Sequence, residues 1–85
     1  MNSIISPNLV KKEFTITTGT EKYYGNYYGV HTLTSEEQSQ LVSLHVSNVG
    51  NNIPTMLQLI RNGETIMVLT PDPSINVVVR AFFRS

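Results

Sequence analysis

The side chains able to do acid–base or metal chemistry are few: six acids, Glu13, Glu21, Glu36, Glu37, Glu64 and Asp72, and two histidines, His31 and His45, with no cysteine. Glu36 and Glu37 adjoin in the polar stretch TSEEQSQ, where neighbouring carboxylates read as solvated charges rather than as an acid–base pair flanking a substrate. Ser43, His45 and Ser47 alternate along one strand face. A serine beside a histidine still needs an acid to orient the imidazole and an oxyanion hole to receive charge, and the local sequence supplies neither. Two histidines would fill half of a zinc ion's first shell. Gly25 and Gly29 lack the lysine and the following helix of a phosphate-binding loop. The expectation is a protein that is not an enzyme and holds no metal or cofactor.

The remaining reactive surface is aromatic. EKYYGNYYGVHT, residues 21–32, holds all four tyrosines: Tyr23, Tyr24, Tyr27 and Tyr28. A two-residue loop at Gly25-Asn26 would pair Tyr24 with Tyr27 and Tyr23 with Tyr28, one pair on each face. A strand running through Gly25 would instead put Tyr23, Tyr27 and His31 on one face and Tyr24, Tyr28 and Val30 on the other. In either geometry the rings serve packing first. Tyrosine also suits a protein–protein contact, because it buries a large ring and keeps a hydroxyl for hydrogen bonding. Glycan stacking is the alternative, although the chain has no tryptophan.

Composition narrows the partners. Formal net charge is zero and charged residues make up 14% of the 85 residues, against about 25% in typical globular domains. No basic stripe points to nucleic acid, and no polybasic or amphipathic segment points to a membrane surface. Surfaces rich in Ser, Thr and Asn can meet without desolvating ions, which favours self-association. The start, MNSIISPNLVKK, lacks the charged and apolar regions of a signal peptide. Synthesis in the cytoplasm is expected, with display on a surface assembled inside a cell, such as a spore or a virion.

The supporting elements read as strands. TMLQLIRNGETIMVLT predicts a hairpin with Asn62-Gly63 as its loop, setting Arg61 opposite Glu64, Leu59 opposite Ile66 and Leu57 opposite Val68. LVSLHVSNVG alternates, with Val42, Leu44 and Val46 facing one way. INVVVRAFFRS predicts a long strand with Ile75, Val77, Val79, Ala81 and Phe83 on one face, and PDPS, with two prolines, ends the strand before it. FTITT, Phe14 to Thr18, is a further strand. TSEEQSQ is a loop or one helical turn, with Ser35 and Gln38 at capping-box spacing. Six or seven short strands without a long helix predict a small antiparallel all-β sandwich, jelly-roll-like, over residues 13–85. Residues 1–12 form an arm carrying Ile4, Ile5, Leu9 and Val10, kept as an edge strand or lent to a neighbour.

Two resemblances follow from these segments. KYYGN with GVH resembles the opening of pediocin-like bacteriocins, but the cysteine pair that closes that toxin's hairpin is missing. VSNVGNNIPTMLQLIRNGETIMVLTPDPSINVVV resembles the strand, hairpin, turn and strand of jelly-roll subunits from bacterial endospore appendages, in which an N-terminal connector docks on other subunits. That resemblance implies a connector at Met1 to Val10 and a fibre of identical subunits. The expected function is therefore a structural subunit that self-assembles into a fibre or shell, with Ile4, Ile5, Leu9, Val10 and the four tyrosines at subunit contacts. A glycan-binding or adhesin module is the alternative, and a toxin a remote third.

Overall fold

The strand predicted from INVVVRAFFRS organises the molecule. In a computed structural model, which describes residues 8–50 and 56–84, β7 (Asn76–Arg84) lies between β1 (Leu9–Thr17) and β4 (Leu41–Val49). A second sheet has the order β2 (Lys22–Tyr23), β3 (Asn26–Thr32), β6 (Thr65–Thr70), β5 (Gln58–Asn62). All pairings are antiparallel. The two sheets pack face to face as a small all-β sandwich, as the strand count predicted.

Period-two alternation explains the core. Val77, Val79, Ala81 and Phe83 all point inward from β7 and are fully buried, joined by Ile75 just before it. Ile66 and Val68 of β6 face them from the other sheet, and Ile16 of β1 lies beside Val77 in the same ladder. Full burial of each aliphatic side chain contributes roughly 1.5–3 kcal/mol. The central strand of the three-stranded sheet thus holds much of the stabilising surface.

Three local expectations shift. β1 begins at Leu9 rather than Phe14, so Leu9–Lys12 join the ladder, and Ile4 and Ile5 lie outside the described residues. Lysines do not break this strand because it is an edge. Lys12, opposite Ala81, extends past the core so that its Nζ bonds Glu37 at 3.0 Å and sits 5.1 Å from the Phe83 ring centroid.

Both hairpin loops move by one residue. Asn62 pairs with Thr65, leaving Gly63-Glu64 as the loop, and only Gly63 has positive φ, the pattern of a type II′ turn. The Leu33 amide donates to the Glu64 carbonyl at 2.7 Å, which extends the β3–β6 ladder into the loop and fixes this register. Leu59 therefore faces Val68 and Arg61 faces Ile66. A one-residue loop shift changes partners by two, so the inward face is the predicted one.

TSEEQSQ forms one short helix, α1 (Ser35–Gln40), capped one residue earlier than the Ser35/Gln38 spacing suggested. Thr34 Oγ1 accepts from the Glu37 amide at 3.1 Å, and Glu37 Oε1 accepts from the Thr34 amide at 3.0 Å.

Candidate assembly interface

The tyrosine hairpin adopts neither predicted geometry. Lys22 pairs with Tyr27 and Tyr23 with Asn26, so Tyr24-Gly25 forms the loop, with φ of 51° and 81°. Both values suit a type I′ turn, in which Asn-Gly is the favoured pair. A tyrosine there occupies the left-handed region at a cost. Its ring meets Tyr23 edge-on at 4.5 Å, and Tyr23 meets Tyr28 at 6.2 Å. Tyr23, Tyr24 and Tyr28 thus form one aromatic cluster, while Tyr27 turns to the other face beneath Lys22 Nζ, 5.2 Å from its ring centroid.

The expected arm residues sit elsewhere. Leu9 and Val10 are 50% and 43% exposed at the start of β1, opposite Arg84 and Phe83. β1 runs from that end towards Thr17, which lies beside Gly29, and β3 runs back from the tyrosine loop. Leu9 and Val10 therefore occupy one end of the sandwich and Tyr23 and Tyr24 the other.

The outward faces of the two sheets differ in chemistry. On the three-stranded sheet, Glu13 Oε2 accepts from Arg80 Nε at 3.2 Å and Arg80 donates to Ser47 Oγ at 3.1 Å, a polar array. On the four-stranded sheet, Tyr28 lies opposite Leu69, Val30 opposite Met67, and Met67 opposite Ile60. Val30, Ile60 and Tyr23 are exposed there, so an apolar strip crosses this face to the aromatic cluster. Such a strip marks a surface that can be covered.

The two long sides of the sandwich also differ. β1 packs on β3, where Phe14 stacks on His31 and the Thr17 carbonyl approaches Gly29 so closely that a Cβ has no room. Among the described residues, β4 and β5 do not close in this way. Leu44, Val46 and Val49 of β4, with Leu57 and Leu59, face inward yet are incompletely covered, and Val46 is 39% exposed. Register shifts at Val42 and Ser47 kink β4, and Val42, expected on the inward face, is exposed at the first of them.

Sequence reading missed this open side. Its signal was the strand count, because the seven strands among the described residues cannot fill the two four-stranded sheets of a full jelly roll.

Ionisable groups are mostly at the surface. Glu37 also lies near the surface, yet the Thr34 amide bond and then Lys12 hold its carboxyl below the usual range. Among the described residues, no group of three His, Cys, Asp or Glu gathers to hold a metal, and no helix is long and apolar enough to cross a membrane. A depression of about 330 Å³ opens beside Tyr28, lined also by Glu21, Thr17 and Thr20. Comparison with protein-family models, curated proteins and solved structures finds no match.

Proposed function

We propose that the chain is a structural subunit that self-assembles into a fibre or shell, using its N-terminal segment and its tyrosine cluster as contacts with neighbouring copies. One observation carries this reading: the exposed apolar groups Leu9 and Val10 and the aromatic pair Tyr23 and Tyr24 stand at opposite ends of the sandwich. A contact that uses two different ends is heterologous, and repetition of a heterologous contact grows a filament unless the rotation closes it. Tyr24, 87% exposed at a strained backbone position, supports a role outside the fold, since an asparagine would suit the turn better. The resemblance to endospore appendage subunits suggests a spore or similar surface for such a fibre.

Sedimentation velocity over a dilution series tests this. Self-assembly gives a weight-average mass that rises with concentration, and Tyr23→Ser with Tyr24→Ser lowers that rise. A mass independent of concentration contradicts it.

The depression beside Tyr28 supports a second reading, a glycan-binding module, because one aromatic wall with a carboxylate and hydroxyls suits a sugar ring. That reading requires a monomer whose tyrosine fluorescence responds to a saccharide.

A further inference from the structure

We infer that the open side between β4 and β5 is the acceptor for the Ile4-Ile5 segment of a second copy of this chain, an inference that rests on the assembly reading above. The three-stranded sheet ends at β4, whose outer edge has no strand beside it among the described residues. Leu44 and Val49, which pack on the core, and Val46, opposite Val79 and 39% exposed, are the inward-facing side chains along that edge that one more strand would cover. Between the two register shifts, β4 keeps a regular stretch from Ser43 to Val46, long enough for a short donor. Ile4 and Ile5 provide apolar side chains for it, and Pro7, which has no N–H for a ladder, limits the donor on its far side. Strand addition then gives main-chain hydrogen bonds while an isoleucine fills the gap over Val46.

Reach excludes the chain's own Ile4 from the gap over Val46. Leu9 pairs with Arg84 and Val46 with Val79, five residues away along β7, a separation of about 17 Å at strand rise. A strand beside β4 stands three positions from β1, about 14 Å across the sheet. The diagonal is roughly 22 Å by the same spacings. Ile4, five residues before Leu9, extends at most about 17 Å from it. A neighbouring copy has no such limit, so an Ile4-Ile5 donor placed over Val46 comes from a second chain.

The chain lacks cysteine, so introduced thiols report the contact directly. Ile4→Cys in one chain is mixed with Val46→Cys in another of different tag length, and disulfide formation is read on a non-reducing gel. A mixed-length covalent dimer is expected, together with little product when His45→Cys, which faces the opposite side of β4 beside Arg80, replaces Val46→Cys. Cross-linking of Ile4→Cys to Val30→Cys in its place, or high-mass species with no cross-link at Val46→Cys, overturns the acceptor while leaving assembly intact. An intramolecular disulfide in the dilute Ile4→Cys, Val46→Cys double variant overturns the second copy as occupant. A protein that stays monomeric at every concentration and forms no cross-link overturns the assembly reading as well.

Discussion

Phe14 stacks on His31 across the two sheets, ring centroids 3.9 Å apart and planes 25° from parallel. The stack joins β1 to β3 and, with the approach of Thr17 to Gly29, shuts one long side of the sandwich. The other side, at β4 and β5, has no equivalent closure among the described residues. This asymmetry links the fold to the proposed assembly.

Gly29→Ala is expected to destabilise the protein by about 1–3 kcal/mol, since its Cβ would press on the Thr17 carbonyl, a backbone atom that cannot rotate away. Gly19→Ala is the control, because its Cβ would stand an ordinary 3.7 Å from the Tyr28 carbonyl oxygen. Thermal unfolding should show a lowered Tm for the first variant and a change within about 0.5 kcal/mol for the second.

Thr18 ties the PDPS turn to the core. Its buried hydroxyl accepts from the Ile75 amide at 2.8 Å and donates to the Asp72 carbonyl at 3.0 Å. Thr18→Val leaves both groups without that partner, a loss of about 1–3 kcal/mol in urea unfolding. Thr18→Ser keeps the hydroxyl and should recover most of the difference.

Acid should weaken the α1 end of the sandwich through Glu37. Its folded carboxyl titrates below the ordinary value of about 4.3, so the contribution is complete above that value and is lost as pH falls through the folded one. Glu37→Gln should flatten this part of the dependence when urea midpoints are compared between about pH 3 and 6. Thr34→Ala, which removes the other half of the capping box, should cost about 1 kcal/mol throughout.

Tyr24→Asn separates stability from assembly. Asparagine tolerates the positive φ of the loop, so the monomer should gain about 0.5–1 kcal/mol. Losing the exposed ring should weaken association, seen as a lower weight-average mass at equal concentration. A variant that is more stable and assembles equally well would remove Tyr24 from the interface.

The sheet faces were legible because a period of two survives small errors in loop placement. Ile75, Val77, Val79, Ala81 and Phe83 read directly as an inward face. Loop positions were less legible. Asn62-Gly63 and Gly25-Asn26 are good local turns, yet both loops lie one residue away, the first held there by the ladder bond from Leu33 to Glu64. Tyr24 in particular enters a backbone region that local preference assigns to glycine or asparagine. Val46 shares a face with Val42 and Leu44 in the sequence, but its exposure was not legible, because alternation reports which way a side chain points and not whether another strand covers it.

Negative-stain electron microscopy of the full chain beside a chain lacking residues 1–7 tests the central claim most directly, since the deletion stops short of β1 and removes none of the described strands. Self-assembly through the N-terminal segment predicts filaments or shells from the full chain and isolated particles from the shortened one. Identical high-mass assemblies from both would contradict the arm, and isolated particles from both would contradict assembly itself.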